Sequence, residues 1–161
     1  MISPKAEPQH AWLKKFIGTW TVESECIMEP GKPPMIMRAA ETTRMLGDYW
    51  LVSEMIGDMP GGGSMTAMMT VGYDPMKKKF VGTWYCDAMT TLFVYEGDLS
   101  ADGTTLPLNT TGPNPMDPTQ MATFQDVLEI HPDGRRLMWS QMLGPDGTWT
   151  RFMTAMYTRV T

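Results

Sequence analysis

Turn-forming residues interrupt this chain at nearly regular intervals, and this spacing restricts the fold more than any other feature of the sequence. Gly, Pro and Asp favour turns because they tolerate or impose the backbone angles that turns need. The turn segments are EPG at 29–31, LGD at 46–48, MPGGG at 59–63, DP at 74–75, DG at 102–103, GP at 112–113, PDG at 132–134 and PDG at 145–147. The segments between these turns are predicted to be β-strands, each antiparallel to the next one along the chain.

Ten strands are predicted between these turns. Their ranges are 18–28, 35–46, 49–57, 65–73, 79–86, 91–99, 104–110, 120–131, 135–143 and 148–159. So many sequential strands twist too far for an open sheet, which favours an all-β, ten-stranded antiparallel up-and-down β-barrel. A flattened two-sheet sandwich has the same alternation and remains the alternative. The stretch 111–118, with three prolines, is predicted to be a rigid loop that could cover an open end.

A short N-terminal helix is predicted to cap one end of the barrel. Pro8 suits a first helical turn, and Trp12, Leu13, Phe16 and Ile17 gather on one side. The strand that follows is expected to point one row of side chains inward, namely Trp20, Val22, Ser24, Cys26 and Met28. No domain linker is found, so residues 1–161 are interpreted as a single domain.

Composition excludes several classes of function. The 13 Lys and Arg residues against 18 Asp and Glu give a net charge of −5, which argues against nucleic acid as a partner. No apolar run reaches the length of a membrane span, and the first twenty residues contain no secretory signal, so a cytoplasmic location is expected. Cys26 and Cys86 are expected to be free, buried thiols.

The chain is methionine-rich, with 18 Met among its 161 residues. Met is flexible and polarisable, so a Met-rich interior can form a soft core or a cavity that adapts to varied apolar ligands. Copper would need Met and His to converge, yet His10 and His131 lie beside turns. Haem is conceivable in a small barrel, but neither His is expected inside. No metal site and no cofactor are therefore predicted.

Charged residues in apolar rows are the candidate functional groups, because a buried carboxylate needs a partner. Three carboxylates interrupt rows that are expected to face inward: Glu41 after Met residues, Glu54 in the row of Trp50, and Asp126 in the row of Phe124. Arg151 is a candidate counter-charge. The aromatic and Met side chains predicted to line the same cavity are Trp84, Tyr95, Met153 and Tyr157. The alternative is that these groups form a buried salt bridge that only stabilises the fold.

The chain resembles the lipocalin-like (calycin) proteins catalogued as domain of unknown function 1579. The resemblance rests on the order of HAWL at 10–13, GTW at 18–20, ECIM at 25–28, MPGGG at 59–63, MTVGYDP at 69–75, FVGT at 80–83, QD at 125–126, LGPDG at 143–147 and FMTAMY at 152–157. It implies a calycin-type barrel without an assigned reaction. It also implies that Trp20 packs against an arginine of the last strand, Arg159.

The sequence thus predicts a binding module for a small, mostly apolar molecule, anchored by interior charged groups. Two alternatives remain open: an enzyme that uses the interior carboxylates as general acid and base, and a packed structural or oligomeric barrel with no cavity. A second copy of the chain, which would form a homodimer, is a further candidate partner.

Overall fold

Ten antiparallel strands close into an up-and-down barrel in the computed structural model, which describes residues 1–160. The strands are β1 (Gly18–Cys26), β2 (Met35–Leu46), β3 (Trp50–Asp58), β4 (Ser64–Asp74), β5 (Lys79–Cys86), β6 (Phe93–Gly97), β7 (Thr105–Asn114), β8 (Asp117–Ile130), β9 (Arg136–Leu143) and β10 (Trp149–Arg159). Each strand pairs with its neighbours in the sequence, and β10 pairs with β1 to close the barrel. The predicted barrel is confirmed, and the sandwich alternative is wrong.

The N-terminal helix α1 (Pro8–Leu13) continues into a 3₁₀ turn over Lys14–Phe16 and caps one end of the barrel. Trp12, Leu13 and Phe16 are buried in the core, and the indole N–H of Trp12 donates to the carbonyl of Gly103 at 2.7 Å. Ile17, predicted on the same side, is exposed instead, because the backbone becomes extended there. No helix within residues 1–160 is long and apolar enough to cross a membrane.

The seam between β1 and β10 contains the predicted contact of Trp20 with Arg159. These residues are register partners, and the guanidinium carbon lies 4.1 Å from the centroid of the Trp20 ring. Arg159 also donates to the carbonyls of Ile17 and Lys15. The side chain therefore joins the last strand to the backbone just before the first.

Two sequence predictions about strand ends are corrected. Met28, predicted to face inward, is 60% exposed because β1 ends at Cys26. The segment 111–118 is mostly not a loop: β7 continues through Asn114, and β8 begins at Asp117. Three prolines fit there because the hairpin tip projects beyond β6, so few of its backbone N–H groups need ladder partners.

Candidate functional site

The interior of the barrel contains a cavity of about 330 Å³ at the end opposite the helix. The helix covers the end where β4 finishes and β5 begins, whereas the cavity contacts the start of β4 and the tip of the β7–β8 hairpin. The wall is mainly apolar and includes seven methionines, namely Met37, Met55, Met65, Met69, Met89, Met138 and Met153. Trp84, Phe93, Phe124, Phe152 and Tyr157 supply the aromatic part of the wall. An adaptable apolar wall suits ligands of more than one shape.

Glu41 lies on the cavity wall and is only 3% exposed. Its Oε2 atom accepts from Arg136 Nη1 at 2.6 Å and from the hydroxyl of Thr43 at 3.0 Å. The Ser53 hydroxyl lies 2.9 Å from that of Thr43 and donates to it, since the proton of Thr43 is already directed to Glu41. The charge of Glu41 is thus balanced inside the barrel.

Arg136 is the counter-charge, and it was not among the site residues predicted from the sequence. The residue is 1% exposed, and its guanidinium carbon lies 3.8 Å from the ring centroid of Tyr157 and 4.9 Å from those of Phe16 and Trp20. Within residues 1–160, its Nε and Nη2 atoms have no hydrogen-bond partner. The alternation of Arg136 with Met138 and Ser140 was a signal that could have identified it as an interior residue.

Asp126, on β8, forms a second polar cluster on the wall. Its Oδ1 accepts from the Ser140 hydroxyl at 2.6 Å, and its Oδ2 accepts from the hydroxyl of Tyr95. Burial raises the pKa of Asp126 despite these two hydrogen bonds, which act in the opposite direction. None of the ion pairs found within residues 1–160 includes Asp126. Its charge therefore lacks a counter-charge in the part of the chain that the structure describes.

The hydroxyl of Thr110 is a buried polar group on the cavity wall. Thr110 lines the cavity and is 5% exposed, and its Oγ1 has no hydrogen bond to any residue that the structure describes. Thr110 pairs with Phe124 on β8, two residues from Asp126, so both polar groups belong to the same part of the wall. A buried hydroxyl without a partner costs about 1–3 kcal/mol, so a water or a ligand atom is expected to bind there.

Two of the predicted site residues lie outside the barrel. Glu54 is exposed because β3 points Leu51, Ser53 and Met55 inward, and the prediction that the row of Trp50 and Glu54 faces the interior is wrong. Trp50 lies outside because it packs over Gly72, where a Cβ atom would lie 2.3 Å from the Trp50 ring.

Arg151 is the second of these residues. A β-bulge between Arg151 and Met153 reverses the alternation of β10, so Arg151 points outward while Met153 stays inside. The guanidinium of Arg151 lies 3.8 Å from the ring centroid of Trp139. The assignment of Arg151 as the interior counter-charge is therefore wrong.

The remaining predicted site residues lie inside the barrel. Glu41, Asp126, Trp84, Met153 and Tyr157 line the cavity. Tyr95 is fully buried behind the wall, where it reaches the cavity only through its hydrogen bond to Asp126. Burial raises the pKa of both tyrosines, so both hydroxyls stay protonated at neutral pH. Their role in ligand binding stays a prediction.

The groups that could hold a metal do not converge. Among residues 1–160, no three His, Cys, Asp or Glu side chains lie close enough to hold an ion. His10, contrary to expectation, is buried, but it lies in the helix: its Nδ1 accepts from the Glu7 N–H at 2.9 Å, and its Nε2 contacts the Tyr73 carbonyl at 3.0 Å. Cys26 and Cys86 are free thiols, and burial raises the pKa of Cys26, which lines the cavity.

Comparison with known proteins gives a family and a fold, but no reaction. No curated protein matches the chain. Among solved structures, the crystal structure of Rv2717c from M. tuberculosis superposes with a TM-score of 0.67 and 12% sequence identity, covering 98% of this chain and 100% of that chain. At this identity the similarity shows the fold alone. A family model described as "Protein of unknown function (DUF1579)" matches residues 5–159, so the chain belongs to the DUF1579 family.

Proposed function

We propose that the protein binds a small, mostly apolar molecule inside its barrel. The observation that carries this proposal is the interior cavity of about 330 Å³, whose apolar wall is interrupted by a few polar groups. Ligand pockets in proteins typically have volumes of about 300–1,000 Å³ and the same mixture of wall types. A barrel that served only as a scaffold would gain stability by filling this space.

Three polar groups are available to orient such a molecule. Asp126 and Glu41 present carboxylates at the wall, and Thr110 presents a hydroxyl that has no partner in the described part of the chain. The remaining wall is apolar, so most of the binding free energy would come from burial of the ligand's hydrocarbon. The free thiols of Cys26 and Cys86 are compatible with a reducing compartment, and we propose that the protein acts in the cytoplasm.

Binding of a fluorescent apolar probe tests this proposal. N-phenyl-1-naphthylamine is expected to fluoresce strongly with the wild-type protein, and Ala155→Phe is expected to abolish that signal because Ala155 is buried and lines the cavity. Ala40→Phe is the matched control, since Ala40 is exposed on the outer face of β2. Ala67→Phe provides a second blocking variant if Ala155→Phe does not fold.

Native mass spectrometry of protein purified from its own host complements the probe. A retained ligand would add a discrete mass that the Ala155→Phe variant lacks. Failure of the wild-type protein to bind the probe, or equal binding by the wild-type protein and both blocked variants, would contradict an interior site.

The raised pKa of Asp126 favours a second candidate function, an enzyme in which this carboxyl acts as general acid or base on the bound molecule. The two functions differ in the fate of the ligand. Mass spectrometry of the ligand after incubation would reveal a product for an enzyme, and Asp126→Asn would retain the ligand unchanged. A homodimer stays a prediction.

A further inference from the structure

The polar groups at Asp126 leave hydrogen-bond acceptors unused, because the hydroxyl donors that reach this carboxylate are already engaged. The hydroxyls of Tyr95 and Ser140 donate to Asp126, and that of Thr43 donates to Glu41. A carboxylate accepts about four hydrogen bonds, and Asp126 receives two from the protein. The nearby hydroxyl of Thr110, which has no hydrogen bond to the residues that the structure describes, can either donate or accept.

The charges at the cavity wall likewise favour a ligand group that donates hydrogen bonds over one that is negatively charged. Glu41 is paired with Arg136, whereas Asp126 has no ion-pair partner within residues 1–160. Of the residues that the structure describes, no Lys or Arg lines the cavity, and Arg136 lies behind Tyr157 and Glu41. A ligand carboxylate would therefore meet two acidic groups and no accessible cation.

Resting on the proposed function, we infer that the ligand is an apolar amine, whose ammonium group donates hydrogen bonds to Asp126 and whose hydrocarbon fills the Met-lined part of the cavity. The ammonium supplies the counter-charge that Asp126 lacks, and its three N–H donors match the free acceptor positions of Asp126 and the hydroxyl oxygen of Thr110. The aromatic rings of Phe124 and Trp84 on the same wall also favour a cation.

The half-buried position of Asp126 on the cavity wall supports this assignment. Burial raises the pKa of Asp126, and a bound ammonium would lower it again by stabilising the carboxylate. Amine binding would thus release a proton wherever the empty site holds a protonated Asp126, and amine affinity would rise with pH through that range.

Competition between three ligands that share a ten-carbon hydrocarbon chain and differ in their polar group tests the inference. Decylamine, decanol and decanoate, each below its micellar concentration, are titrated against N-phenyl-1-naphthylamine bound to the wild-type protein. Decylamine is expected to bind at least tenfold more tightly than decanoate. Asp126→Asn is expected to remove this preference, with a larger loss of affinity for decylamine than for decanol.

Asp58→Asn is the matched control, because Asp58 is exposed at the end of β3 and the substitution changes the net charge equally. Its preference for decylamine should equal that of the wild-type protein. Decanol binding with no preference for decylamine, or tighter binding of decanoate, would overturn the inference and leave the proposed function standing. Absence of competition by all three, with no probe binding, would overturn both.

Discussion

Substitution of Glu41 by Gln tests whether the ion pair inside the barrel has the energetic weight that its burial implies. The change removes the negative charge but leaves Arg136 buried, and its Nε and Nη2 atoms already lack partners among residues 1–160. Breaking a buried ion pair by removing one partner typically costs about 3–5 kcal/mol. Three aromatic rings still contact the guanidinium and the Gln amide can accept one hydrogen bond, so we expect the lower end of this range.

Urea unfolding followed by tryptophan fluorescence measures this loss. With an m-value of about 2 kcal/mol per molar urea, a loss of about 3 kcal/mol lowers the unfolding midpoint by about 1.5 M. Glu54→Gln is the control, because Glu54 is exposed on β3, and its effect should stay within about 0.5 kcal/mol.

The double substitution of Glu41 and Arg136 by Met should cost less than Glu41→Gln alone, because it leaves no unpaired charge. A cost below about 1 kcal/mol for Glu41→Gln would refute the reasoning, because it would mean that water or another group already compensates Arg136.

Three further predictions concern the seam, the second carboxylate and the outer face. Arg159→Lys should lower the free energy of unfolding by about 0.5–2 kcal/mol, measured in urea, because Trp20 loses a planar cation; no change would contradict the packing at the seam. The raised pKa of Asp126 gives a stability contribution that is present below its ordinary value of 3.8 and is lost as pH rises through the folded-state pKa. Asp126→Asn should therefore gain stability relative to the wild type as pH rises from about 4 towards 7, in urea titrations at each pH, and a constant difference would contradict burial of the charge. Gly72→Ala should displace the Trp50 ring at a cost of about 1 kcal/mol and shift tryptophan emission to longer wavelength, whereas unchanged emission would place Trp50 elsewhere.

The barrel could be predicted from the sequence because its turns and its alternation agree. In β1 and β8 the inward rows, beginning at Trp20 and ending at Ile130, are mainly apolar, so pattern and register point to the same face. The N-terminal helix was predictable for a similar reason, since Pro8 suits its first turn and Leu13 lies on its buried side.

The candidate site was predicted only in part, because an interior cavity weakens the rule that apolar side chains point inward. In β3 the outward-facing row contains Trp50 and Ile56, whereas the inward-facing row contains Ser53. Hydrophobicity alone therefore selects the face that points away from the interior. In β10 a bulge, which has no sequence signature here, moves Arg151 outside. Arg136 was not predicted because a guanidinium is rarely fully buried unless it is paired. Its partner, Glu41, lies on a distant strand, so the sequence pattern does not reveal the pair.

Closure of the barrel by β1 and β10 has a consequence for how the chain reaches its native state. Trp20 pairs with Arg159, so the final ladder joins positions almost the whole length of the sequence apart. Pairing of residues so distant in the sequence has a high entropic cost of loop closure, and this cost slows folding. Until residues 149–159 have been synthesised, β1 and β9 present open edges with unpaired N–H and C=O groups, and a nascent chain at that stage is exposed to association with other strands.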